Sequence, residues 1–178
     1  MPLISLRHVN LFLSLVLLAS GADAKQSDYQ QPIQVDSQRQ LAELGNNKVS
    51  FLDDVVITQG TIRITANKVE VIRHGQKGAE EMIAYGTPAT FYQVLDNGKP
   101  VQADANQLSY KLKEKLVILS GKAKLKQEDS QVTGGTIRYD IQKQQMAAES
   151  SGNGSRVKTI FLPDQVQEQV NEQKKGQR

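Results

Sequence analysis

The 178-residue chain has no cysteine and no tryptophan, two histidines and only 5% aromatic residues. Without cysteine there is no disulfide framework, no thiolate metal site, no cysteine nucleophile and no lipid-modified N-terminal cysteine. With so few histidines, the commonest acid–base side chain is nearly missing. A glycine-rich phosphate loop, a His-x-x-x-His pair and a calcium loop are also absent, so the sequence implies no metal and no cofactor. Hydrophobic residues make up 38%, below the usual globular share but too patterned for wholesale disorder.

The N-terminus reads as a cleavable signal peptide over residues 1–24. Arg7 and His8 precede an apolar run from Val9 to Ala19, and Ala22-Asp23-Ala24 supplies small residues at alternate positions. The run is shorter than the roughly 20 residues needed to span a bilayer. Removing residues 1–24 takes away one base (Arg7) and one acid (Asp23), so the net charge of +3 belongs to the mature chain. The expected address is a bacterial periplasm. At the other end, residues 164–178 are polar or glycine apart from two valines, a composition that predicts a flexible polar tail.

Between these segments, residues 25–163 read as one all-β domain. Apolar residues alternate with polar ones at Ile33/Val35, Val49/Phe51, Val55/Ile57, Ile62/Ile64, Val69/Val71, Leu108/Tyr110/Leu112, Val117/Leu119, Ala123/Leu125 and Ile137/Tyr139. One face is apolar and the other wet, as in antiparallel sheets packed on a single side. Asp96-Asn97-Gly98-Lys99, between two such runs, predicts a hairpin whose Asn-Gly pair takes φ > 0 at both residues. Arg73–Gly78 and Ser150–Ser155 read as loops, and a short helical window is predicted near Ala79–Ile83. The last apolar segment is Val157–Leu162, closed by Pro163.

An internal repeat is the most informative feature. At an offset of about 68 residues, the alternating stretch from Val49 to Gln59 lies on that from Val117 to Gln127. Without a gap, Ile64-Thr65-Ala66 then matches Val132-Thr133-Gly134, and Val69-Glu70-Val71 matches Ile137-Arg138-Tyr139. A repeated series of short strands separated by corners predicts a layered coil or jelly roll. Asp53 and Gly121 occupy equivalent places and interrupt a same-face row, which predicts a strand bend there.

Chemistry is sparse. The acidic neighbours Asp53-Asp54, Glu80-Glu81 and Glu128-Asp129 could supply a glycosidase-like carboxylate pair, but all fall in corners or loops, where solvated acids are ordinary. Lys111, Lys113, Lys115, Lys122, Lys124 and Lys126 alternate with apolar residues and read first as the solvated outer face of two strands, second as an anion-binding stripe. No nucleic-acid contact is expected. On these grounds the chain is a secreted all-β repeat protein, a binding module rather than an enzyme.

The residues so assembled resemble the OstA-like family of lipopolysaccharide-export bridge proteins, typified by LptA. The resemblance runs to about Pro163 and is carried by Gln31-Pro32-Ile33-x-Val35, Val55-Val56-Ile57-Thr58-Gln59-Gly60-Thr61-Ile62, Ala66-Asn67-Lys68-Val69, Tyr85-Gly86-x-Pro88-Ala89-Thr90-Phe91-Tyr92-Gln93 and Asp96-Asn97-Gly98-Lys99-Pro100-Val101. It implies an open, twisted antiparallel β-jelly-roll that shields the acyl chains of lipid A in an apolar groove. LptC would join at the N-terminal edge (Ile33, Gln34, Val35) and LptD at the C-terminal edge (Val157, Thr159, Phe161), and copies would stack head to tail by β-augmentation. The related LptC type shares the fold but keeps a membrane helix, against which the cleavable signal argues. By strand parity the groove lining is Ile33, Val35, Phe51, Ile57, Ile64, Val69, Phe91, Leu108, Tyr110, Leu112, Leu119, Leu125, Val132, Ile137 and Tyr139. The need for a groove is large: exposing a twelve-carbon chain to water costs about 10 kcal/mol. The open alternatives are a structural adaptor whose interior is only a packed core, and an envelope carbohydrate hydrolase.

Overall fold

The computed structural model describes residues 27–75, 80–152 and 154–161. The signal peptide and polar tail read from the sequence lie outside them. Among the described residues there is no α-helix, and no helix long and apolar enough to cross a membrane.

Ten strands form one antiparallel sheet: β1 (Gln34–Asp36), β2 (Arg39–Glu43), β3 (Lys48–Gln59), β4 (Ile62–Arg73), β5 (Glu80–Val94), β6 (Pro100–Lys111), β7 (Leu116–Gln127), β8 (Ser130–Asp140), β9 (Gln145–Glu149) and β10 (Lys158–Ile160). The order is β1-β3-β4-β5-β6-β7-β8-β10, with β2 also on β3 and β9 also on β8. The alternation thus gives long strands with a corner inside each, rather than separate short ones. The register shifts between Leu52 and Val55, Thr65 and Lys68, Tyr85 and Ala89, Asp104 and Gln107, and Ser120 and Ala123. These shifts align across the sheet as a crease, and the sheet folds along it into two facing walls, the open jelly roll.

The repeat extends to the backbone. Strand β3 recurs as β7 and β4 as β8 at the same offset. Positive φ occurs at Asn47 (50°), Asp53 (62°), Asp54 (49°) and Gly60 (59°), and again at Lys115 (54°), Gly121 (76°), Lys122 (53°) and Glu128 (51°). The bend expected at Asp53 and Gly121 is therefore real and two residues wide. Side chains taper to fit it. Ala66, Ala89, Ala105, Ala123 and Gly134 border the crease, in cross-strand pairs such as Ala89 with Ala105 and Ala123 with Gly134. Larger residues fill the space where the walls diverge.

Two local expectations are corrected. Glu80–Ile83 belongs to β5, not to a helix. Its Glu-Glu-Met-Ile run has good helix propensity, but pairing with β4 on one side and β6 on the other overrides it. The β5–β6 hairpin is also longer than an Asn-Gly two-residue turn. The Leu95 N–H donates to the Lys99 carbonyl at 2.9 Å, enclosing three residues, and only Gly98 has positive φ (80°). This is the three-residue hairpin, in which a single left-handed position suffices.

Candidate functional site

All fifteen side chains assigned to the groove by parity face the interior. Ile57, Ile64, Val69, Phe91, Leu108, Tyr110, Leu119, Leu125, Val132, Ile137 and Tyr139 are buried, and Ile33, Val35, Phe51 and Leu112 pack half-buried against them. Val55, Ile62, Val101 and Val117 share that interior and were legible by the same alternation. Met82 was hidden by the helical reading, and Leu95 and Ile141 lie in turns where alternation gives no signal.

Cross-strand partners arrange these residues in rows. On one wall the row runs Val35, Ile57, Ile64, Phe91, Ala103, Leu125, Val132 and Thr159, each the register partner of the next. On the other it runs Phe51, Val69, Ala84, Leu108, Leu119, Ile137 and Ala148. Both rows cross the sheet perpendicular to the strands; the first reaches Val35 in β1 and the second Ala148 in β9, while at their other ends the partners are polar, Thr159 of β10 beside Val132 and Gln40 of β2 beside Phe51. The middle is closed in this state: Val69, Leu108, Leu119 and Ile137 are 0% exposed. Exposed apolar residues gather at the rims instead, with Leu41 and Leu44 at the β2 end and Met146, Val157, Ile160 and Phe161 at the β9–β10 end. Among the described residues, no strand pairs with the outer edges of β1, β2, β9 or β10. Strands β2 and β9, which double the two rims, were missed because their residues are nearly all exposed and show no alternation.

Opposite the crease, the free lips of the two walls meet along a seam of hydrogen bonds. The Tyr110 hydroxyl donates to Gln59 Oε1 at 2.9 Å, and the Tyr139 hydroxyl to Gln93 Oε1 at 3.2 Å. Gln144 Nε2 donates to Asp96 Oδ2 at 3.3 Å. The Phe91 and Tyr139 rings meet edge to face at 6.0 Å. Burial pushes both tyrosine hydroxyls up to about 12, so they stay neutral donors. Gln59 and Gln93 lie on the inward parity of β3 and β5, yet both are buried and fully paired.

The candidate catalytic carboxylates are engaged elsewhere. Asp53 pairs with Arg39 at 2.6 Å and Asp54 accepts from Gln38 at 2.6 Å. Glu80 pairs with Arg73 at 3.2 Å, and Glu81 faces His74 at 3.3 Å and accepts from the Ser109 hydroxyl. Glu128 pairs with Lys99 at 2.8 Å. The lysine rows lie outside: Lys113, Lys122 and Lys126 are exposed, and Lys124 meets Asp104 at 3.3 Å. Lys115 differs, since its Nζ sits 4.0 Å from the Tyr29 ring centre.

Residues 34–145 match the family described as LptA/(LptD N-terminal domain) LPS transport protein. The lipopolysaccharide export system protein LptA of Haemophilus influenzae is 46% identical over 161 residues, covering 89% of this chain and 93% of that protein. The protein of the same name from Escherichia coli K12 is 44% identical over 176 residues, covering 94% and 95%. The crystal structure of LptH from Pseudomonas aeruginosa, described as the LptA-homologous periplasmic component of the lipopolysaccharide transport device, superimposes with a TM-score of 0.71 at 26% identity, covering 78% of this chain and all of that one. Apolar rows that span a folded open sheet, and relatives alike over nearly their whole length, agree: the chain belongs to the LptA/LptD N-terminal-domain family of lipopolysaccharide transport proteins.

Proposed function

We propose that this chain is a periplasmic lipopolysaccharide carrier and bridge segment rather than an enzyme. It holds the acyl chains of lipid A between its two walls while sugars and phosphates stay in water outside, on the way from the inner to the outer membrane. The observation that carries this reading is the pair of apolar rows that span the sheet, from Val35 of β1 to Val132 of β8 on one wall and from Phe51 of β3 to Ala148 of β9 on the other. A core that only had to be packed would not need an apolar row at each rim, Val35 in β1 at one and Ala148 in β9 at the other. Rows that do reach them continue into any sheet that adds a strand there.

The rims supply the joints. Among the described residues no strand covers the outer side of β1 or of β10, so each can extend by β-augmentation. In this reading the N-terminal rim, with Ile33, Gln34 and Val35, receives the LptC jelly roll. The C-terminal rim, with Val157, Thr159 and Phe161, meets the N-terminal domain of LptD, and one copy's C-terminal rim also fits another's N-terminal rim. The exposed Leu41, Leu44, Ile160 and Phe161 are the apolar surface that such joints would cover. The names of the relatives, export proteins and a periplasmic component, support the same assignment.

The test is chemical. Protein purified from an envelope that makes lipopolysaccharide, then extracted with organic solvent, should release lipid A species detectable by mass spectrometry. Clean protein that also fails to take up added lipopolysaccharide would leave only a structural adaptor.

A further inference from the structure

The apolar rows explain where acyl chains would lie, and the closed seam bears on where they get in. Just before β1 the chain makes a short 3-10 turn, Asp28–Gln30. Asp28 and Tyr29, neighbours in sequence, are anchored to opposite lips. The Asp28 carboxylate accepts from the Thr61 backbone N–H at 2.7 Å, the Thr61 hydroxyl at 2.6 Å and Gln93 Nε2 at 3.1 Å, all on the lip formed by the β3–β4 turn and the end of β5. Tyr29 lies under the Lys115 ammonium, in the β6–β7 turn of the other lip. The small cavity between them is lined by Asp28 and Tyr29 together with Leu95 and Asp96 of one lip and Ile141 and Gln144 of the other. Gly60 lets the strap sit this close: at φ 59°, any side chain there would overlap the Asp28 carboxylate.

The two long sides of the slot therefore differ in kind. Along the crease the walls are joined by continuous strands, and nothing can pass without breaking the sheet. Along the seam, among the described residues, they are joined by side chains, Tyr110 to Gln59, Tyr139 to Gln93 and Gln144 to Asp96, and by the strap. Such bonds exchange for water or for the hydroxyl and phosphate groups of an amphiphile at little net cost. The apolar faces behind them can exchange partners with acyl chains of matching character.

We propose that the seam is the lateral opening through which an amphiphile with several acyl chains is loaded, and that the strap at Asp28–Tyr29 is the latch that must swing aside first. This rests on the carrier reading above and adds to it a route and a controlling residue. Asp28 acts as a positioning residue, holding the lips at rest without touching the chains inside.

The native chain has no cysteine, so a pair at Asp96→Cys and Gln144→Cys, one on each lip and in contact across the seam, can be bridged selectively by a short bis-alkylating thiol reagent. A photo-reactive residue in place of Phe91 reports arrival of purified lipopolysaccharide in the interior. The unbridged pair should capture lipopolysaccharide, and the bridged pair should lose at least tenfold in capture rate while its thermal unfolding stays cooperative. Asp28→Ala, which frees one anchor, should load faster than the parent. Equal capture by bridged and unbridged protein overturns the seam as the opening, and an Asp28→Ala variant no faster than the parent overturns the latch; either result leaves the carrier reading standing. Absence of interior capture in every form, parent included, overturns the carrier reading and the latch with it.

Discussion

The crease and the seam bound the same apolar interior and are built by different means. The crease is a backbone structure: paired residues with positive φ, register shifts in five neighbouring strand pairs, and alanine and glycine where the walls converge. The seam is a side-chain structure, two tyrosines, three glutamines and two aspartates closing wide walls over large residues. A hinge set by backbone conformation and a mouth held by single hydrogen bonds make a clamp. The difference teaches where such a protein can move without unfolding.

Perturbing the crease should cost most. Gly121 has φ 76°, and a methyl there would press on Asn106 at 3.0 Å. Gly121→Ala should destabilise the fold by at least about 1–2 kcal/mol, the usual cost of placing a side chain in the left-handed region, as a fall in the urea midpoint with unchanged slope. Perturbing the seam should cost less. Tyr110→Phe or Tyr139→Phe should each lose about 0.5–1.5 kcal/mol, the net value of one hydrogen bond. A crease variant milder than a seam variant would invert the comparison.

Alkali sharpens the same contrast. Burial raises both seam hydroxyls from the usual value of 10.0 to about 12, so the unfolded chain releases these protons first. Their contribution is therefore intact below pH 10, and stability falls as pH rises from about 10 to about 12. Thermal midpoints should drop across that window in the parent. The drop should shrink in the Tyr110→Phe, Tyr139→Phe double variant and keep its full size in Gly121→Ala.

Much of this was legible in the sequence, and the reasons are physical. Period-two alternation identifies the inward face because a strand has only two faces, so Ile57, Phe91 and Leu119 could be placed without coordinates. The repeat exposed the crease because Asp53 and Gly121 break the alternation at equivalent places. Elements without periodicity stayed hidden. The Asp28–Gln30 turn is short and polar, and its role depends on Thr61, Gln93 and Lys115, which are far away in sequence. Met82 and its neighbours read as helical because local propensity does not register strands arriving on both sides.

The central claim, that the two walls enclose acyl chains while their outer faces do not, is tested most directly by site-specific photo-crosslinking to lipopolysaccharide. Photo-reactive residues at Phe91, Tyr110 or Leu112, which face the interior, should capture it; those at Lys124 or Arg138, on the outer faces, should not. Equal labelling from both faces, or labelling from the outer positions alone, would contradict the account.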